Sequence, residues 1–379
     1  MLVNSTKFLI TSYWKSIDKK ILLSFLVLFF LGLFFSFSST SSLAGERLNK
    51  DYYFFFTKHL VFTFLALIVM ITISAIKTKI FIKLVTPLFL ISFLILAMVP
   101  LFGVEIKGAK RWIDLYFFRL QPIEILKPFF VLITVKILTM EKFYNSQIKY
   151  FLSFIVLCSV IILLIDQPDL GQSILLICSW IATVFVSGVS LMYVIAFFSI
   201  FLISFSSLLF FLPEKFGYII NRLITFFDPS QGDKFQSSSA LEAIKLGGLT
   251  GQGMGEGILK ESVPEAHTDY VIAVISEEYG SLVSISVLLI FLYISFRIIK
   301  NCFNQENQFL KISLSGLATL LIFQTFIHAG VNTNLLPTTG MTLPFLSYGG
   351  SSILSSSILA GLILNFTRRK IKIYEKNNY

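Results

Sequence analysis

Few residues of this chain could do chemistry, and most of them stand in or beside apolar runs. Asp269 closes the segment Pro-Glu-Ala-His-Thr-Asp (264–269), where a polar stretch gives way to an apolar one. A carboxylate at such a junction can cap the helix that starts there, as Thr268 also could. Alternatively, it can serve as a general base at the edge of a cleft. His267, two residues earlier, is a proton carrier or a ligand by type, but a single histidine makes a weak metal signal. Glu277 and Glu278 follow about two helical turns deeper into the same apolar run. Glu124 and Lys127 stand three apart, close enough to pair on one helix face, with Lys136 three turns on. His328 lies near the end of another apolar run.

Three further clusters are candidates for binding. Lys110-Arg111-Trp112 joins two cations to an aromatic ring, which suits an anionic ligand or an anchor at a membrane surface. The glycines of 247–257 invite a phosphate-cradle reading, but their spacing fits neither dinucleotide-binding nor Walker motifs. Taken alone, they read better as a flexible external loop. Ser347 and Tyr348 open Ser-Tyr-Gly-Gly-Ser-Ser, whose small residues permit close helix approach or line a polar cavity. Cys158, Cys178 and Cys302 show no paired or metal-binding spacing and read as small hydrophobes.

The elements that must position these groups are membrane helices. The chain has 379 residues, 55% hydrophobic and 14% charged, with a mean hydropathy of +0.82. Soluble domains carry about 25% charged residues, so a soluble enzyme, a disordered chain and a disulfide-stapled domain are excluded. Apolar runs long enough to span a bilayer fall at 21–39, 57–76, 80–102, 123–140, 150–166, 170–188, 190–213, 270–298, 309–331 and 343–366. The first exceeds a signal-peptide core and reads as a retained helix. The expected fold is an all-α polytopic bundle of about ten spans.

An even number of spans puts both termini on one side. Lys and Arg gather in the loops of that side, which the positive-inside rule makes cytoplasmic. The net charge of +10 is thus a topology signal and requires no nucleic acid. The whole chain, 1–379, reads as a single integral-membrane domain. It comprises a cytoplasmic N-terminus (1–20), one large external loop (214–269) and a basic cytoplasmic tail (367–379). The polar segments 103–122 and 332–352 join the large loop on the outer face, where chemistry is expected.

Five motifs resemble the shape, elongation, division and sporulation (SEDS) family. They are Gly108-Ala109-Lys110-Arg111-Trp112-Ile113 followed by Gln121-Pro122-Ile123-Glu124 and Lys127; Gln167-Pro168-Asp169-Leu170-Gly171; Pro264 to Tyr270; Glu277-Glu278-Tyr279-Gly280; and Pro344 to Ser352. Ile123 stands where the family usually has serine, and Tyr270 where it has phenylalanine. Within the family the chain looks closer to the division member than to the elongation member.

The resemblance implies a peptidoglycan glycosyltransferase that polymerises lipid II on the outer face of the cytoplasmic membrane. Asp269 matches the family's catalytic aspartate and would deprotonate the acceptor 4-hydroxyl as it attacks the donor's anomeric carbon. Undecaprenyl pyrophosphate would leave with inversion, giving a β-1,4 glycan. Lys110, Arg111 and Lys127 are candidates for the diphosphate. Trp112, Glu124, His267, Glu277, Ser347 and Tyr348 complete the expected substrate-binding set. No metal site is expected from the residues, although a divalent cation such as Mg²⁺ or Mn²⁺ could share the charge. Expected partners are lipid II, a class B penicillin-binding protein and other septal proteins, at the division septum. The alternatives are a lipid II flippase, an elongation-type polymerase, or a scaffold without chemistry.

Overall fold

The computed structural model describes residues 11–39, 54–106, 108–116, 118–141, 146–211, 213–228, 235–259, 263 and 265–369. Residues 1–10 and 370–379, the outer parts of the expected cytoplasmic termini, lie outside them.

Each of the ten apolar runs meets a helix, because a chain removed from water must satisfy its backbone internally. The first seven are α1 (Lys19–Ser39), α2 (Phe54–Ala75), α3 (Thr78–Ala97), α4 (Pro122–Leu138), α5 (Ser146–Asp166), α6 (Leu170–Val186) and α7 (Leu191–Phe211). Next come α8 (Pro213–Phe227), α9 (Phe235–Gly247) and α10 (Val271–Tyr279), and then the apolar helices α11 (Ser281–Phe303), α12 (Gln308–Asn332) and α13 (Gly350–Phe366). Six of them are long and apolar enough to cross a membrane, and α6 and α13 are shorter apolar helices. Their outward faces stay apolar, as at Phe30, Leu94, Ile162 and Phe296. Such faces suit lipid.

The helix α4 is buried on almost every side, with Leu126, Phe130, Val131, Leu132 and Val135 among its covered residues. It packs against α3, α6, α12 and α13. Small residues allow the closest approaches, which in lipid rest on packing more than on hydrophobic exclusion. Gly361 of α13, for example, faces Met70 and Ile73 of α2. At the end of the bundle that holds both described termini, Arg297 of α11 pairs with Asp18 at 2.9 Å. The Arg369 amide there bonds the Ser16 carbonyl at 2.8 Å.

Two expected spans need correction. The run 270–298 is not one helix. It divides at Gly280, whose φ of +86° lies in the region that side chains disfavour. Glu277 and Glu278 therefore belong to the short α10 and not to the eighth span. The last span begins at Gly350 rather than at 343. Before it, Phe345 has a φ of +67° and inserts its ring between Phe25 and Phe29 of α1, at 5.3 and 5.0 Å.

The segment 103–122 forms a small antiparallel sheet of β1 (Val104–Ile106), β2 (Ala109–Asp114) and β3 (Arg119–Leu120), in the order β1-β2-β3. It sits at the end of the bundle opposite the termini, as do the segments before α10 and before α13.

Candidate active site

Asp269 is half-buried in the turn that precedes α10. The Glu265 carbonyl shapes that turn, accepting the amides of Thr268 and Asp269, both at 3.0 Å, and of Tyr270 at 3.3 Å. The capping alternative loses its ground here. The N-cap position is Tyr270, with no side-chain cap, and the Thr268 hydroxyl turns back to Glu265. Asn332, at the end of α12, supplies the acceptor instead. Its Oδ1 takes the Ala273 amide at 3.0 Å, and its Nδ2 donates to the Asp269 carbonyl at 2.9 Å and to the His328 carbonyl at 2.8 Å.

Across from this turn runs the segment between α12 and α13. A Cβ built on Gly340 would stand 3.5 Å from Asp269 Oδ2 and 3.8 Å from Arg111 Nη1. The carboxylate and the guanidinium thus meet beside one glycine. Side chains hold that glycine in place. Met341 O is 2.8 Å from His328 Nδ1, and Thr342 O accepts Gln324 Nε2 at 3.0 Å. Ser347 Oγ donates to Thr268 O at 2.6 Å and accepts the Leu343 amide at 2.8 Å. The Tyr348 amide donates to His267 O at 2.9 Å. Phe55 of α2 packs against both the Tyr348 and the His267 rings.

Strand alternation sorts the basic cluster on β2. Arg111 is buried while Lys110 is exposed and Trp112 half-buried. The Arg111 guanidinium is fixed by backbone carbonyls: Nε donates to Gln167 O at 3.0 Å and Nη2 to Pro168 O. Its charge therefore faces the site without a carboxylate having to hold it there.

Below lies a buried polar floor. Lys127 Nζ and Glu124 Oε2 are 2.9 Å apart, each 3% exposed. Gln172 Nε2 donates to Glu124 Oε1 at 2.7 Å, and Lys127 Nζ donates to Gln324 Oε1 at 3.0 Å. Asp169 caps α6 by accepting the Gln172 amide at 3.4 Å, and Gln121 Nε2 reaches its other oxygen at 3.2 Å. Burial pushes the Asp169 carboxyl up. The Arg111 charge and the Gln172 amide pull against this, Glu124 adds to it, and the net shift is upward.

The structure therefore brings together Asp269, Arg111, His267, Ser347 and Tyr348, with Glu124 and Lys127 beneath them. Lys110 points away on the outer face of its strand. Glu277 stands apart, fully buried, its Oε1 accepting the Leu259 amide at 2.6 Å. Glu278 accepts Ser38 Oγ. Both brace the glycine-rich segment, whose amides at Gly251, Gln252 and Gly253 already bond the carbonyls of Gly247, Glu277 and Glu278. That segment is packing, not a phosphate cradle. Among the described residues no group of three or more metal-ligating side chains comes together.

The family model described as a cell cycle protein, covering FtsW, RodA and SpoVE, matches residues 18–372. The chain belongs to the FtsW/RodA/SpoVE family. A probable peptidoglycan glycosyltransferase FtsW of Caulobacter vibrioides is 31% identical over 363 residues, covering 96% of this chain and 92% of that protein. The FtsW of Aliivibrio salmonicida, described in the same words, is 32% identical over 349 residues, covering 90% and 86%. The fold resembles a solved structure concerned with polymerisation and crosslinking by a peptidoglycan synthase complex, with a TM-score of 0.75 at 24% identity, covering 93% of this chain and 97% of the other. It also resembles the rod shape determining protein RodA of Thermus thermophilus, with a TM-score of 0.68 over the same shares.

In this FtsW/RodA/SpoVE chain, charge and motif left three site residues unassigned, Gln172, Gln324 and Asn332, and gave His328 no role. Their signal was present, since amides and an imidazole inside apolar helices need a reason to be there. Ile123, where the family usually has serine, is buried at 1% exposure and faces the core. Ser355 Oγ reaches the carbonyl of the next residue, Glu124.

Proposed function

We infer that this chain is a membrane-bound peptidoglycan glycosyltransferase of the FtsW type, with Asp269 as its base. The observation that carries the site assignment is the placement of a half-buried carboxylate and a backbone-fixed guanidinium together beside Gly340, both within 4 Å of where its Cβ would stand. A glycosyl transfer from a diphosphate-linked donor needs both. The acceptor 4-hydroxyl loses its proton to Asp269 as its oxygen attacks the donor's anomeric carbon. The carbon–oxygen bond to the diphosphate breaks, and Arg111 stabilises the charge gathering on the leaving group. Attack from the face opposite the leaving group inverts the centre, turning an α-linked donor into a β-1,4 glycan.

The substrate in this reading is lipid II, met on the outer face of the cytoplasmic membrane at the division septum. Its polyprenyl chain stays in the bilayer while the sugars reach Asp269. The partner is a class B penicillin-binding protein that crosslinks the product, together with other septal proteins. The resemblance to a synthase that couples polymerisation with crosslinking supports this. The FtsW relatives, at 31% and 32% identity, favour the division role over the elongation one. A flippase would need mobile charges along a polar path. The pairing of Glu124 with Lys127, closed by Gln172 and Gln324, supports a fixed floor instead.

The deciding experiment is polymerisation of labelled lipid II by purified protein with its cognate transpeptidase. Asp269→Asn keeps the size of the side chain and removes the base. Loss of about 10²–10⁴-fold in rate, the usual worth of a general base, with folding and partner binding intact, is the expected result. Equal activity of the two proteins would refute the assignment of Asp269.

A further inference from the structure

The segment that presents Gly340 to Asp269 is held at three carbonyls, and one of its three clamps comes from outside the packed bundle. His328 and Gln324, which hold Met341 O and Thr342 O, both sit on α12, a helix largely buried in the core. The third clamp is Arg222, whose Nη1 donates to Thr338 O at 3.1 Å. Arg222 belongs to α8, and α8 differs in kind from α12. Its apolar and polar residues segregate to opposite faces more strongly than in any other described helix. Ile224 and Phe227 are exposed on it. A single residue separates it from the apolar α7, and Pro213 opens it. A helix so patterned, leaving a membrane span, lies in the lipid–water interface.

Arg222 is also felt at the catalytic turn. Burial raises the Tyr270 phenol, the adjacent Asp269 charge adds to this, and the Arg222 charge acts against both. One guanidinium thus bonds the loop on one side of the carboxylate and acts electrostatically on the residue following it on the other.

We propose that Arg222 is a positioning residue that couples the interfacial helix α8 to the site, holding Thr338 so that Gly340 stays against Asp269 and Arg111. The proposal rests on the glycosyltransferase reading above. Its physical content is that α8, which takes its position from the membrane surface, sets where Gly340 stands against the two groups that do the chemistry. A displaced α8 is expected to shift Gly340 against the carboxylate while leaving lipid II able to bind, since Arg222 bonds Thr338 O and not the residues assigned to the substrate.

The test compares wild type, Arg222→Ala and Arg222→Lys, purified with the cognate transpeptidase and assayed for lipid II polymerisation over a range of substrate concentrations. Misplacement by about 1 Å costs about a hundredfold in rate. Arg222→Ala should therefore lower kcat by about that factor, with KM changed by less than about threefold, since only a transition-state interaction is lost. Arg222→Lys, which keeps a charged donor, should recover most of the rate. Thermal unfolding of each variant establishes that the fold survives. A rise in KM with kcat preserved would make Arg222 a substrate ligand and overturn the proposal. So would an Arg222→Lys as slow as Arg222→Ala, or an Arg222→Ala as fast as wild type. Wild-type protein that fails to polymerise at all would instead remove the glycosyltransferase reading on which the proposal rests.

Discussion

Removing one partner of the Glu124–Lys127 pair should cost far more than removing both. The two groups are 2.9 Å apart and 3% exposed, so neither can recover water if the other is lost. In Lys127→Met, Glu124 keeps the amide of Gln172 as a donor and loses its counter-charge. In Glu124→Gln, Lys127 keeps Gln324 and faces a neutral amide. Breaking a buried pair from one side costs about 3–5 kcal/mol, whereas exchanging the whole pair for neutral groups of similar volume is often close to neutral. Each single variant is therefore expected to lose about 3–5 kcal/mol and the double variant, Glu124→Gln with Lys127→Met, far less than their sum. The shortfall should exceed about 3 kcal/mol, within the range measured for close charge pairs elsewhere. Denaturant unfolding in detergent, followed by tryptophan fluorescence, reads all four proteins. Single variants within about 1 kcal/mol of wild type, or a double variant as unstable as the sum of the singles, would refute the reasoning. A stable double variant that no longer polymerises lipid II would give the pair a part in handling substrate.

Three further outcomes are expected. Arg111→Lys keeps the charge but cannot reproduce the fork that bonds both Gln167 O and Pro168 O. Polymerisation should fall at least about tenfold, in line with the loss of one preorganised donor, while the melting temperature changes little. Gly280→Ala forces a Cβ onto a backbone with φ of +86° and against the Leu249 carbonyl. It should destabilise by at least about 1–2 kcal/mol, read by thermal unfolding. Asp169→Asn bears on pH. The folded Asp169 carboxyl lies above the ordinary aspartate range, chiefly through burial, so the native state holds this proton more tightly than the unfolded chain. Its contribution is greatest in acid and is lost as pH rises through the folded value. The stability of Asp169→Asn relative to wild type should thus be higher at neutral pH than near pH 4, and a difference that grows toward acid would refute this.

The bundle was legible because twenty-residue apolar runs admit one structure in lipid, and each run met its helix. The break at Gly280 was not. One glycine in a helical pattern is usually tolerated, and only the approach of the Leu249 backbone explains why the chain turns there. The late start of α13 was hidden for a similar reason. The left-handed Phe345 is held by the aromatic cluster it enters, which involves residues more than 300 positions away in sequence. In the site, Asp269 and Arg111 were visible as charges beside a membrane. Lys110 could not be told from Arg111 until the strand alternation was known. Glu277 looked like a site residue because a carboxylate in an apolar run is costly, and its use, to hold the Leu259 amide, is a contact between segments that composition does not encode.

The neutral polar residues explain how a membrane protein can afford an irregular site at all. Non-helical backbone near the bilayer is tolerated only where its amides and carbonyls find partners within the protein or in a wet cavity. The turn before α10 and the loop before α13 interrupt helices on both sides of Asp269, exposing carbonyls at 269, 341 and 342 and amides at 273 and 343. Asn332, His328, Gln324 and Ser347 meet these groups one by one. Three of the four lie on α12, so the backbone that carries Asp269 and Gly340 is held by the regular helix beside it. Replacing any of these three by an apolar residue of similar size would leave a backbone group unpaired at a cost of about 1–3 kcal/mol. Such a change would also release the segment that carries Asp269 or Gly340. Stability and catalytic geometry are coupled here through the same hydrogen bonds.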